Sequence, residues 1–191
     1  MSELPDLTIR PVTPATWADF EALFGDNGAM AGCWCMWWRI KRKDWEANAY
    51  AGNKASMKAL VEGGTVPGLL AYDGNRAVGW VSVAPREEFP VLQRSPVLKP
   101  VDDQPVWSIV CFYVDKAYRD RGLTGPLIEA AADYARKQGA ALIEGYPLDP
   151  QGGDTSNVSA FTGFLSTFQE AGFREVERRS PRKPIVRKTL A

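Results

Sequence analysis

The run Trp107–Val114, WSIVCFYV, is almost wholly β-branched or aromatic, and an Arg- and Gly-rich turn follows it directly. A run of this kind suits a central strand buried on both faces, which demands covering layers above and below it. Past Tyr118–Gly125 the pattern changes period. From Leu123 to Gln138, Leu127, Ile128, Ala131 and Ala135 fall on one helical face, and Gly139 stands where a helix ends. A buried strand feeding a helix through a glycine turn restricts the fold to a sheet with packed helices.

The flanking elements fit that frame. Leu7–Arg10 reads as a short strand. Thr13 and Pro14 open a helix whose apolar face carries Trp17, Phe20 and Phe24, with Gly25 at its end. Gly25–Gly32 is a small-residue loop, and Asn53–Glu62 a second helix closed by Gly63 and Gly64. Gly68–Tyr72 and Ala77–Ala84 read as strands joined by Asp73-Gly74-Asn75, residues that tolerate a tight hairpin turn. Pro85–Asp103 reads as loop, Ala140–Tyr146 as a strand, and Ser159–Ala171 as a helix with Phe161, Phe164, Leu165 and Phe168 apolar. Arg174–Arg179 and Ile185–Leu190 are final strands. Interleaved helices, strands and hairpins predict an α/β (mixed α+β) fold, with a mixed sheet and helices on both faces. With 191 residues and no repeat, a single domain over 1–191 is expected.

Composition narrows the chemistry. There is no histidine, which excludes a Ser-His-Asp triad, a Cys-His nucleophile and any His-ligated metal. Lys and Arg number 23 against 23 Asp and Glu, a balance that speaks against a dedicated nucleic-acid binder. Cys33, Cys35 and Cys111 are too few and too closely spaced for a secreted disulfide framework, and without histidine partners they give no metal site. The opening MSELPDLTIR lacks a charged-then-apolar leader, and no apolar run is long enough for a membrane span. A reduced, cytoplasmic protein with no membrane partner is expected.

The turn Arg119-Asp120-Arg121-Gly122-Leu123-Thr124-Gly125 carries the chemistry. The first amides of a helix lack internal partners and the helix dipole favours negative charge there, so a phosphate or pyrophosphate is the natural ligand. Gly122 and Gly125 permit close approach, and Arg119 and Arg121 add charge. The alternative is a solvated, Arg-rich helix start. The pattern is neither a Walker loop nor a dinucleotide fingerprint, since Gly-Lys-Ser/Thr and G-x-G-x-x-G are both absent.

Val114 through Thr124 resembles the acyl-CoA motif of the GNAT N-acetyltransferases, an apolar strand followed by Arg/Gln-x-x-Gly-x-Gly/Ala, with Thr124 at the last position. Ala171-Gly172-Phe173 is similar to that family's Leu-Gly-Phe signature, and the element order agrees along nearly the whole chain. The resemblance implies a GNAT fold, a mostly antiparallel sheet splayed between its fourth and fifth strands. It implies acetyl-CoA as co-substrate, no metal, and transfer of the acetyl group to a primary amine, small molecule or protein. Pyrophosphate would sit on Arg121, Gly122, Leu123, Thr124 and Gly125 beside Arg119, and pantetheine would pair with Phe112 and Val114. Edge strands in the family also support a homodimer.

For catalysis the resemblance points to Glu144 as base, in a strand that is otherwise apolar; the other common base position holds Ser108. Many members carry a thiolate-protonating Tyr where this chain has Phe168, and Tyr146 is the substitute. Trp34, Trp37, Trp38 and Arg39 fall where the family lines its acceptor pocket, and Glu87 follows the third strand. Tryptophans can hold a flat or cationic group; they can equally be core. The competing function is an acyl-CoA sensor on the same fold without turnover, the reading that Phe168 favours.

Overall fold

A computed structural model describes residues 6–152 and 160–190. These form a seven-stranded sheet in the order β1-β2-β3-β4-β5-β7-β6. One leaf comprises β1 (Leu7–Pro11), β2 (Gly68–Asp73), β3 (Arg76–Pro85) and β4 (Trp107–Val114), paired antiparallel in sequence. The other comprises β5 (Leu142–Gly145), β6 (Arg174–Glu177) and β7 (Ile185–Thr189), with β7 central and antiparallel to both neighbours. The leaves meet in a short parallel pairing of β4 with β5: Trp107↔Ile143, Ser108↔Glu144 and Ile109↔Gly145. Beyond Ile109, β4 continues to Val114 while β5 has ended. The sheet is therefore mixed, mostly antiparallel, and splayed where the sequence places the gap.

Strand alternation sorts the side chains to two faces. Val81, Val83, Ile109 and Phe112 meet α4 (Thr124–Lys137) and α5 (Leu165–Glu170), burying Leu127, Ile128, Ala131 and Phe168. Leu70, Tyr72 and Trp80 meet α1 (Trp17–Phe24) and α2 (Arg42–Glu62), burying Phe20, Phe24, Trp34 and Met57. A fully buried side chain of this size contributes about 1.5–3 kcal/mol. α3 (Pro90–Arg94) covers the start of the second leaf through Phe89, Leu92 and Tyr146. The described residues include no helix long and apolar enough to cross a membrane.

Three segments depart from the sequence reading. α2 begins at Arg42 rather than Asn53, and a break at Ala49 (φ 43°) divides it; its first turns are polar and give no amphipathic signal. Pro85–Asp103 is not all loop, since a 3-10 turn at Arg86–Glu88 and α3 lie within it. The helix expected over Ser159–Ala171 reduces to Leu165–Glu170, and Ser159 lies outside the described residues. Residues 160–164 are not helical, and Gly163 takes φ 79°, which ends any helical run there.

Candidate active site

The turn between β4 and α4 is held by its own side chains. Asp115 accepts from the Ala117 amide at 2.8 Å, and Arg119 Nε donates to the Val114 carbonyl at 3.1 Å. Asp120 (φ 60°) and Gly122 (φ 81°) reverse the chain before Thr124 begins α4. Leu123 is buried beneath the turn, so the backbone above it is the outward surface. Space for a Cβ at Gly125 is open to 4 Å, and the Gly125 amide reaches the Gly122 carbonyl only at 3.3 Å. The Arg121 guanidinium lies over the Tyr118 ring at 5.1 Å. The N-terminus of α4 thus lies beside Arg119 and Arg121, where the helix dipole favours an anion such as phosphate.

The splay beside β4 holds a part of the chain itself. The Phe112 amide donates to the Phe161 carbonyl at 2.7 Å. The Leu148 amide donates to Gly163 at 2.8 Å, and the Leu165 amide to Leu148 at 3.0 Å. Residues 160–164 therefore lie between β4 and the chain leaving β5 as a stand-in strand. The Phe112 amide, expected to face a pantetheine arm, has an internal partner here, and the Val114 carbonyl receives Arg119. Phe168 is fully buried. A Cβ on Gly145 would come within 2.2 Å of its ring, so β5 needs glycine there to seat it. Phe168 is a packing residue in this arrangement.

Glu144 and Tyr146 stand together at the origin of the splay, both buried. Glu144 Oε2 accepts from Arg86 Nη1 at 3.1 Å and from the Tyr146 hydroxyl at 2.9 Å. Its Oε1 accepts from Arg187 Nη2 at 2.7 Å. Tyr146 also receives Arg86, and its hydroxyl is 2.8 Å from Ser108 Oγ. Burial first, and the Glu144 charge second, push the phenol well above its ordinary pKa. Arg187 also forks onto Asp102. Glu144 is the centre of a buried charge cluster, with a guanidinium on each of its oxygens. Tyr146 is likewise engaged, by Arg86, Glu144 and Ser108.

The acceptor candidates separate. Trp34 is core, packed on Trp17 and Phe24. Trp37 is half-buried against Trp45. Arg39 is buried, paired with Glu88 at 2.5 Å and stacked on Phe89 at 4.6 Å. Glu87 is exposed on the 3-10 turn. Trp38 lines a cleft of ≈ 540 Å³, shared with Leu98, Leu148, Phe161, Arg182 and Lys183, while Trp34 edges a separate one of ≈ 450 Å³ with Glu21, Asp26, Tyr50 and Lys54. Phe161 is both a wall of the Trp38 cleft and the partner of Phe112, so that cleft abuts the splay.

A family model described as the acetyltransferase (GNAT) family matches residues 27–146, most of the chain. The chain belongs to the GNAT acetyltransferase family. No curated protein matches it. Among solved structures, the acetyltransferase of GNAT family from Streptococcus pneumoniae aligns with TM-score 0.58 at 15% identity, covering 97% of this chain and 100% of that one. The structure of yncA from Salmonella typhimurium with its cofactor acetyl-CoA aligns with TM-score 0.53 at 16% identity, covering 97% and 94%. The paia N-acetyltransferase from Thermoplasma acidophilum, in complex with coenzyme A, aligns with TM-score 0.53 at 13% identity, covering 96% and 99%. At such identities the likeness is one of fold.

Within this GNAT fold, sequence reasoning missed Arg86. It follows β3 directly and is buried, reaching Glu144, Tyr146 and the Leu98 carbonyl. Its only sequence signal is a charged residue directly after a strand that is apolar along most of its length. Lys183, in the turn between β6 and β7, was legible only as one of several basic residues near the C-terminus.

Proposed function

We propose that this GNAT protein transfers an acetyl group from acetyl-CoA to a primary amine, with a small molecule as acceptor. The observation that carries the reading is the course of β4: it outruns β5 after Ile109, then turns through Arg119–Gly122 into the N-terminus of α4. A strand whose neighbouring slot is filled by residues 160–164 rather than by β5, with a helix N-terminus at its end, suits the two ends of one ligand, an amide-bearing arm and a pyrophosphate.

Arg121, Gly122, Leu123, Thr124 and Gly125 would hold the pyrophosphate, with Arg119 securing the turn. Alternation directs Phe112 and Val114 to the side from which a pantetheine arm would pair. Such pairing requires residues 160–164 to leave the Phe112 amide, which then becomes a donor able to polarise a thioester carbonyl. The amine lone pair attacks that carbonyl carbon, the C–S bond breaks, and the amine proton passes through water to the departing sulfur. Glu144 and Tyr146 act here by fixing the junction of β4 and β5. Their engagement in the arginine cluster is also what favours the second reading, an acyl-CoA sensor without turnover.

The test is thermal unfolding with acetyl-CoA, free CoA or ATP, followed by CoA release with amine acceptors. A ligand at 100 times its Kd adds about 2.7 kcal/mol of stability. Stabilisation by both CoA species and not by ATP, with acceptor-dependent thiol release, is expected. Stabilisation without release under any acceptor would select the sensor.

A further inference from the structure

The cleft bounded by Trp38, Leu98, Leu148, Phe161, Arg182 and Lys183 is largely apolar at its walls and cationic at one end, and no Asp or Glu lines it among the described residues. The other basic residues nearby are committed: Arg178 to Asp149 and Glu175, Arg179 to Glu177, Arg187 to Asp102 and Glu144. Lys183 instead bonds the neutral Thr162 hydroxyl at 3.1 Å. Burial of its ammonium, with Arg182 adjacent, lowers its pKa, so an anion at this position relieves a desolvated charge. The buried indole N–H of Trp38 has no hydrogen-bond partner.

We propose that this cleft selects α-amino acids with apolar side chains as acetyl acceptors, the carboxylate meeting Lys183 and the side chain lying against Trp38, Leu98 and Leu148. The inference rests on the acetyl-transfer reading above. The α-amine then lies toward Phe161 and the splay. One N–C bond forms and one C–S bond breaks, giving the N-acetyl amino acid and CoA thiol, with the amine proton carried to sulfur through water.

The experiment follows CoA thiol release from acetyl-CoA by the full chain. L-phenylalanine and L-leucine are compared with phenethylamine, which keeps the amine and ring but lacks the carboxylate, and with spermidine. The amino acids should show kcat/KM roughly ten-fold or more above phenethylamine, as one charge-assisted hydrogen bond provides. Lys183→Met should raise KM for phenylalanine by a similar factor and leave phenethylamine unchanged, while Lys183→Arg keeps the preference. Phenethylamine or spermidine acetylated as well as phenylalanine would overturn the acceptor class while leaving acetyl transfer standing. Absence of both thiol release and stabilisation by acetyl-CoA would remove the acetyl-transfer reading, and this inference with it.

Discussion

The carbonyl of Phe161 receives the amide of Phe112 at 2.7 Å, across the gap that opens where β4 outruns β5. This bond ties residues 160–164 to β4, while Leu148 holds them on the other side. Gly163→Ala tests its hold. An added Cβ would sit 3.0 Å from Phe168 and 3.1 Å from Phe112, at a φ of 79° unsuited to a side chain. We expect a loss of about 1–3 kcal/mol in stability. Acetyl-CoA should associate several-fold faster, read by stopped-flow. An unchanged association rate would mean that the segment does not obstruct the slot.

Glu144→Gln leaves the buried Arg86 without a counter-charge, while Arg187 keeps Asp102. Because Arg86 and Glu144 are both buried, we expect roughly 3–5 kcal/mol of destabilisation in urea. Tyr146→Phe removes one member and should lose about 1–3 kcal/mol. Should Glu144→Gln remain folded and keep most of its acetyl transfer, Glu144 is not the base; a thousand-fold fall in kcat with stability intact would make it one.

Gly145→Ala drives a methyl into the Phe168 ring, from which an ideal Cβ stands 2.2 Å away. Overpacking of this kind costs about 1–3 kcal/mol. Adding Phe168→Leu to the variant should recover part of the loss, measured as a positive coupling in a double-mutant cycle.

Acid should unfold the protein through its arginine-bound carboxylates. Arg187 holds the Asp102 carboxyl down to about 2, and Arg178 lowers Asp149 and Glu175. A pKa depressed by folding gives stability that is complete above the unfolded value, near 3.9 for Asp, and lost as pH falls through the folded one. The midpoint of urea unfolding should therefore drop between about pH 4 and pH 2. In Asp102→Asn the drop should be shallower; an identical slope would show that the Asp102–Arg187 pair contributes nothing.

Much of the fold was legible because its signals are local. The hairpin at Asp73–Asn75 and the amphipathic face of α4 need no distant partner to be read. Phe161, Phe164, Leu165 and Phe168 misled because their spacing is helical, yet the splay offers Phe161 a strand neighbour and Gly163 breaks the helix. Of the five acceptor candidates, Trp38 lines the cleft beside Phe161, whereas Arg39 turns inward to Glu88 through contacts that no local pattern announces. Arg86 escaped notice because its partners, Glu144 on β5, Tyr146 just past it and the Leu98 carbonyl, come beside it only once the chain has folded.

The junction of the two leaves rests on three parallel residue pairs, and past them the opening is spanned only by a few backbone bonds of residues 160–164 and by the Phe112–Phe168 ring contact, not by a continuous ladder. Divergence can therefore widen or narrow the opening by exchanging single residues, leaving every strand in register. Descendants of such a framework are free to admit longer or bulkier acyl thioesters without first relearning how to fold.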